Sequence, residues 1–290
     1  MAAIVVTYNR KDLLRQCLLA LAAQQDAALD VWVIDNASTD GTAELVASLG
    51  LPNLHYCNTG KNQGGAGGFC YGIRAAAPQY DALWLMDDDT LPQPGALRAL
   101  READAALQGQ YGWLSSRALA LDGTDQPMNR QRITPYRDLP QYGPAPQRSV
   151  MASFVSLFLR ADTVRHYGLP IAEFFIWSDD WEYTRRISRR EVCYTVPTSI
   201  VVHAMANPGV VNIATDAQER WPRYRWFYRN DVVLYRREGI RGWLWLIAKD
   251  VWHTLQVLRD KRGGRAKRIA TIWRGFWEGV HFHPEVEFLL

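Results

Sequence analysis

The chain has 290 residues, 48% of them hydrophobic and 22% charged, with a formal net charge of +3. That composition excludes a disordered or collagenous chain and a large multidomain machine, and it supplies enough apolar surface for a sizeable core. Cys17, Cys57, Cys70 and Cys193 are scattered without close pairs, which excludes a zinc ribbon or disulfide framework and fits reduced thiols in a cytosolic protein.

Met1 runs directly into the apolar residues Ala2 to Val6, with no basic segment or small-residue cleavage site, so no signal peptide is expected. Ala3 to Thr7, Val31 to Asp35, Asn53 to Cys57 and Ala82 to Met86 are short apolar runs bounded by turn residues and predict buried parallel strands. Between them, Lys11 to Gln24 and Thr42 to Leu49 carry apolar residues at helical spacing, with Asp40 where the second helix needs an N-cap. This alternation predicts a doubly wound α/β sheet whose ligands sit beyond the carboxyl ends of its strands. A helix follows over Gly95 to Leu107. Asp122 to Gln147 holds Pro127, Pro135, Pro140, Pro144 and Pro146 and predicts a long irregular loop, a candidate lid. Val150 to Leu159 and Val192 to Val202 predict strands, and Asp179 to Arg190 a helix opened by acidic residues. From Trp221 to Val280 the chain reads as helical. The division this implies is a catalytic domain over residues 1–215, with a donor half over 1–110 and an acceptor half over 111–215, then a helical region over 216–290.

The chemistry is concentrated in the polar residues after the strands. Asp87-Asp88-Asp89 follows Leu83-Trp84-Leu85-Met86. In an extended segment Asp87 and Asp89 share a face, where they can converge on a hard divalent cation that completes its shell with substrate phosphates. The plain alternative is a solvated acidic turn. A haloacid-dehalogenase-like phosphatase also places Asp-x-Asp after a strand, but its motif continues into Gly-Thr, whereas here Thr90 comes directly after Asp89. Asp35 offers a carboxylate that accepts from a pyrimidine N–H or a ribose hydroxyl.

Together Thr7-Tyr8-Asn9-Arg10, Val33 to Gly41 and Asp87-Asp88-Asp89 resemble the family 2 glycosyltransferases of the GT-A fold. That resemblance implies a Rossmann-like, mostly parallel sheet flanked by helices and a nucleotide-sugar donor. Thr7 and Asp35 would lie near the nucleoside, and the acidic triplet, Asp88 included, would serve Mg²⁺ or Mn²⁺ and the donor diphosphate. Asn62-Gln63-Gly64-Gly65-Ala66-Gly67-Gly68-Phe69 resembles a segment of the galactofuranosyltransferase and rhamnosyltransferase branch. Gly64 and Gly65 would offer backbone N–H groups to phosphate or sugar oxygens, and Asn62 and Arg74 would be donor contacts.

The acceptor half carries Trp177-Ser178-Asp179-Asp180-Trp181-Glu182-Tyr183, aromatic rings beside carboxylates of the kind that hold sugars. Its Asp-Asp-x-Glu-Tyr core matches the same branch, which implies that Asp180, with Asp179 beside it, is the catalytic base and that Trp177 and Glu182 contact substrate. His203 would join Asp87 and Asp89 on the metal. These matches imply an inverting transfer of a sugar, galactofuranose first, from a UDP-sugar to a hydroxyl of a lipid-linked glycan precursor. A dTDP-rhamnosyltransferase and a non-catalytic sugar-nucleotide-binding subunit are the alternatives.

The apolar stretch Trp243 to Leu258 is interrupted by Lys249, Asp250 and His253 and is too short and polar for a membrane span. From Arg259 to Arg274 there are seven Lys/Arg and one Asp, with Trp273, Phe276 and Trp277 at the end. That run predicts an interfacial helix on an anionic lipid surface, hence a cytoplasmic enzyme held peripherally at the inner face of the membrane. A solvated basic face or an oligomer contact is the alternative, and no nucleic-acid motif accompanies the patch.

Overall fold

The first strand, β1 (Ala2–Thr7), is buried along its whole length because helices cover both of its faces. Ile4 and Val6 pack with Phe69 and Ile73 on one side, while Ala3 and Val5 pack with Leu14, Leu18 and Leu21 on the other. This is the pattern of a parallel strand between helix layers. The computed structural model describes residues 1–24, 29–205 and 211–289. After β1 come α1 (Lys11–Ala22), β2 (Asp30–Asp35), α2 (Thr42–Ser48), β3 (Leu54–Asn58), α3 (Gly64–Ala76) and β4 (Ala82–Asp87). These strands lie parallel in the order β3-β2-β1-β4, as the alternation predicts. Their register pairs Thr7 with Asp35, Asp35 with Asn58 and Val6 with Asp87. The polar strand ends therefore form one continuous edge.

The second half adds β5 (Thr90–Pro92), α4 (Ala96–Ala106), β6 (Leu114–Leu119), β7 (Arg132–Thr134), β8 (Arg137–Asp138), β9 (Gln147–Arg148), β10 (Leu157–Arg160), α5 (Ala161–Tyr167), α6 (Asp179–Ser188) and β11 (Tyr194–His203). β10 runs antiparallel between β4 and β6, and β11 lies parallel to β6 and antiparallel to β5. The result is a mixed sheet flanked by helices. Pairing of β11 with β5 sets His203 opposite Thr90, which brings the histidine from the far end of the sequence to the acidic turn.

Three expectations for the sheet-bearing part change. The segment Asp122 to Gln147 is not a free loop: it contains a 3-10 turn at Pro127–Asn129 and the β7-β8 hairpin, and Gln126, Asn129 and Gln131 are buried. Strands of two or three residues are too short to show an alternating pattern. Only Leu157–Arg160 of the stretch from Val150 is strand, because Phe154–Ser156 turns beneath β4, where Ser156 Oγ accepts from the Trp84 indole at 2.8 Å. Asp40 does not cap α2, whose N-cap is Gly41. Its carboxylate instead accepts the Lys11 backbone N–H at the start of α1, at 3.0 Å, and the Thr42 hydroxyl at 2.6 Å.

The C-terminal region is α7 (Tyr224–Arg236), α8 (Gly239–Arg259) and α9 (Arg265–His281). Gly275 and Gly279 let α9 press onto the backbone of α7, where a Cβ would stand 2.8 Å from the Arg225 carbonyl oxygen and 2.5 Å from that of Arg229. Val232 and Leu234 of α7 pack with Met151, and Val233 packs with Ala66 and Phe174. Thus α7 shares its core with the sheet-bearing part. Among the described residues no helix is long and apolar enough to cross a membrane.

The basic run does not form one interfacial helix. It spans the end of α8, a turn and the start of α9; Arg268 is fully buried, donating to Asp260 Oδ2 and the Ala214 carbonyl, and Phe276 is buried beside Trp243. The exposed apolar stripe lies instead on α8. Ile240, Leu244, Ile247, Val251, Leu255 and Leu258 recur every three or four residues, with Ile240 72% and Leu244 62% exposed.

Candidate active site

Asp87 ends β4, and Asp88 and Asp89 form the turn into β5. One ligand atom each from Asp87, Asp89 and His203 lies within 4.8 Å of the others. His203 Nε2 is 3.1 Å from Asp89 Oδ1, a buried oxygen without a hydrogen-bond partner. Adjacent ligands of an octahedral ion with bonds of about 2.1 Å are separated by roughly 3 Å. Carboxylate and imidazole donors also suit Mn²⁺, so the cluster fits a divalent cation on both geometry and chemistry.

The remaining member of the triplet points elsewhere. Asp88 Oδ2 accepts from Thr7 Oγ1 at 2.7 Å, and Arg10 Nη1 donates to Asp89 Oδ2 at 2.9 Å and to Asp88 Oδ1 at 3.4 Å. Arg10, which the sequence placed in the Thr7-Tyr8-Asn9-Arg10 motif without a role, is brought there by the register of β1 against β4. Asn129 was missed. Its Oδ1 lies 2.7 Å from His203 Nδ1.

The cluster is rich in buried negative charge. Burial first, then the neighbouring Asp89 carboxylate, pushes the Asp87 carboxyl up to about 7, and the same two causes raise Asp88 to about 6. Burial also acts on Asp89, but the neighbouring His203 and the Arg10 guanidinium outweigh it and hold that carboxyl below its ordinary value. Across the crevice, burial lifts Asp179 to about 6. Asp180 is raised well above the ordinary range by burial, by Asp179 and by Asp87. Asp87 contributes to the rise at Asp180 and Asp179 to that at Asp87, so the start of α6 lies near the acidic turn. Asp179 is buried whereas Asp180 keeps part of its surface exposed, and Asp180 Oδ1 accepts the Trp181 N–H at 2.7 Å.

Other expected residues are placed differently. Asp35 is fully buried, its Oδ2 accepting from the Tyr56 hydroxyl at 2.6 Å and its Oδ1 from the Ser38 N–H at 2.8 Å. Asn62 Oδ1 accepts the Gly64 N–H at 2.8 Å, holding the start of α3. The glycine segment is thus the first turns of a helix, not a loop. Gly64, at φ +72°, sits against the Phe175 carbonyl, where a Cβ would approach to 2.0 Å, while Gly65 has open space around it. Arg74 is in the last turn of α3, more than a dozen ångströms from its N-terminus at about 1.5 Å per residue, and pairs with Glu287. Glu182 is buried in ion pairs with Arg186 and Arg237. Trp177 packs against Tyr224 and Phe227, with Arg220 over its ring. The site therefore brings together Thr7, Asp87, Asp88, Asp89, Asp179, Asp180 and His203, and leaves Arg74 and Glu182 in structural ion pairs.

The galactofuranosyltransferase GlfT1 of Mycolicibacterium smegmatis is 27% identical over 92% of this chain and 97% of that protein. GlfT1 of Mycobacterium tuberculosis is 29% identical over 90% of each. Among solved structures, S. aureus TarS in complex with UDP superposes with a TM-score of 0.56 at 15% identity, covering 94% of this chain and 70% of that one. The mannosyltransferase PcManGT of Pyrobaculum calidifontis, in complex with GDP-Man and Mn²⁺, gives 0.56 at 14% identity over 97% and 75%. Both share the GT-A fold described above. The profile of Glycosyl transferase family 2 matches residues 2–150, the part that carries the strand ends and the acidic turn, and the chain belongs to that family.

Proposed function

We propose that this glycosyltransferase moves galactofuranose from a UDP-linked donor to a hydroxyl of a lipid-linked glycan, with inversion at the anomeric carbon and with a divalent cation bound by Asp87, Asp89 and His203. The single observation that carries the reading is the clustering of Asp87, Asp89 and His203 at the carboxyl ends of the strands, with His203 Nε2 3.1 Å from the buried Asp89 Oδ1. The full-length similarity to proteins named galactofuranosyltransferase supports the choice of sugar. A cation in the cluster would neutralise charge developing on the departing diphosphate. Arg10 and Thr7 hold Asp88 and Asp89 in place for that task. Asp180, partly open to the crevice, takes the proton of the acceptor hydroxyl as its oxygen attacks the anomeric carbon and the bond to the diphosphate oxygen breaks. Burial raises the proton affinity of Asp180, which strengthens it as a base once it is ionised. Because one displacement forms the new bond, the configuration inverts.

The stripe on α8 supports a peripheral contact with anionic lipid, because the exposed cations Arg241, Arg259, Lys261 and Arg262 accompany the exposed apolar side chains. The test of the catalytic reading is a donor screen. At one common concentration of each of several UDP- and dTDP-sugars with Mn²⁺, the melting midpoint should rise most for UDP-galactofuranose, whose stabilisation reaches about 2.7 kcal/mol once it is present at 100 times its dissociation constant. Transfer to a lipid-linked acceptor should follow the same ranking. A preference for dTDP-rhamnose would replace the donor, and hydrolysis or transfer with neither would end the assignment.

A further inference from the structure

The backbone immediately before Asp179 is unusual. Phe175, Trp177 and Ser178 have φ of +63°, +65° and +63°, the left-handed region that non-glycine residues seldom enter. Such conformations persist only where surrounding structure over-determines them. Here three consecutive residues of α7 supply that structure. Arg229 donates to the carbonyl oxygens of Glu173 and Phe174. Asn230, fully buried, directs its Nδ2 at the carbonyl oxygens of Phe174, Ile176 and Trp177, at 2.9, 3.1 and 2.9 Å. Asp231 accepts the Ser178 hydroxyl at 2.6 Å through Oδ1, and Lys249 of α8 donates to its other oxygen. On the opposite side, the Ala66 N–H of α3 donates to the Phe175 carbonyl at 3.2 Å. The loop is gripped from both sides, and the residues it delivers are Asp179 and Asp180.

We infer that Asn230 and Asp231 are positioning residues for the transfer reaction: they fix the left-handed segment Phe175–Ser178 and thereby the direction in which Asp180 faces the donor site. The inference rests on the reading of Asp180 as the base. It makes the C-terminal helices part of the catalytic apparatus, since α7 is in turn held by the glycine face of α9 and by the Lys249 ion pair from α8. Lys249 is itself locked, lying 4.7 Å from the Phe227 ring centre and 5.5 Å from that of Tyr228. Among the described residues no hydrogen bond joins the polar ends of β1, β2 and β4 to this loop, which meets the donor side at the start of α3. Loss of the grip should therefore lower turnover and leave donor binding intact.

The test compares the full-length protein with its Asn230→Ala, Asp231→Asn, Ser178→Ala and double Ser178→Ala/Asp231→Asn variants, using steady-state kinetics and calorimetric titration of UDP in the presence of Mn²⁺. A misplacement of about 1 Å costs on the order of 10²-fold in rate. Asn230→Ala should lose roughly ten- to a hundredfold in kcat while its UDP affinity stays within about twofold of wild type. Ser178→Ala removes the hydroxyl that Asp231 accepts, and Asp231→Asn weakens the same link by removing the charge and the Lys249 ion pair that orient the acceptor, so the double variant should lose no more than the worse single one. Asp231→Asn keeps the shape of the side chain and serves if Asn230→Ala does not fold. Wild-type kcat in the Asp231 and Ser178 variants, losses that multiply in the double variant, or a fall in UDP affinity matching the fall in kcat would each overturn the inference. Asp180→Asn separates the two readings. If it turns over normally, the base assignment fails and this inference with it; if it is inactive while the α7 variants are normal, only the positioning role fails.

Discussion

Asn129 Oδ1 stands 2.7 Å from His203 Nδ1, while Asn129 Nδ2 donates to Ser153 Oγ at 2.9 Å. The amide is thus oriented from behind, and its oxygen accepts the Nδ1 proton of the imidazole. That leaves the Nε2 lone pair directed at Asp89 and the cation position. An outer partner of this kind fixes both the tautomer and the ring orientation of a ligand histidine.

Asn129→Ala should therefore weaken Mn²⁺ binding about 10- to 100-fold without removing any ligand atom. Titration of the metal, followed by calorimetry or by the melting midpoint in the presence of UDP, reads this directly. Unchanged metal affinity would show that His203 does not need Asn129 as its acceptor.

Much of this site was legible because parallel strands covered on both faces must be apolar throughout, so the polar residues that end them stand out. Thr7, Asp35 and Asp87 were found in that way. Asn129 was not, because it sits on a 3-10 turn inside a proline-rich segment where no periodicity exists to place it. Arg10 stood out only as the last residue of the Thr7-Tyr8-Asn9-Arg10 motif; its pairing with Asp88 and Asp89 is a product of strand order. Glu182 was grouped with Asp180 through the Asp-Asp-x-Glu-Tyr match, which does not say which face of the helix each residue takes. On a helix, two residues apart means different faces, and Glu182 turns inward to Arg186 and Arg237. The basic run misled for a similar reason. Sequence does not reveal that Arg268 folds back to Asp260 across the turn between α8 and α9.

The pH dependence of metal binding follows from the carboxyl values. Asp87, Asp88 and Asp179 are raised to about 7, about 6 and about 6. A carboxyl raised in the folded state stabilises it below the ordinary value of about 3.9, and that stability is lost as pH rises through the folded pKa. These groups should therefore destabilise the metal-free protein progressively between about pH 4 and pH 7. Asp89 has the opposite sign: its contribution is present at neutral pH and is lost only as pH falls through its depressed value. Because bound metal displaces protons from its ligands, the Mn²⁺-induced rise in melting midpoint should grow from pH 5.5 to pH 7.5, about the range over which these carboxyls ionise. In Asp89→Ala the rise should vanish. A shift independent of pH would argue against carboxylate ligands.

Asp180→Asn preserves the size of the side chain but cannot take a proton. Transfer should fall by about 10² to 10⁴-fold at saturating donor, with UDP affinity retained. If instead donor affinity is lost and saturated turnover survives, Asp180 binds substrate and the proton goes to Asp179.

Gly64→Ala tests the contact between the donor and acceptor sides. At φ +72°, with the Phe175 carbonyl 2.0 Å from the added Cβ, the substitution should cost about 2 kcal/mol or more and displace the loop that carries Asp179. Denaturant unfolding measures the cost. Gly65→Ala, with nothing within 4 Å, is the control and should leave stability nearly unchanged.

The α8 stripe leads to a prediction about location. Ile240, Leu244 and Trp252 are 72%, 62% and 52% exposed, large apolar side chains on one element with exposed Arg241 at its start and Arg259, Lys261 and Arg262 at its end. Each basic residue near an anionic lipid surface contributes about 1 kcal/mol, and the apolar side chains add burial at the headgroup boundary. Charge attraction weakens as salt screens it, whereas apolar insertion does not. The protein should therefore sediment with anionic vesicles at low salt, be partly released at high salt, and bind neutral vesicles weakly. Leu244→Glu should reduce binding at every salt concentration, since it removes apolar contact and adds a repelled charge. Binding that ignores Leu244→Glu but vanishes with salt would assign the contact to the basic residues alone, and no binding to either vesicle type would leave the stripe to a protein partner.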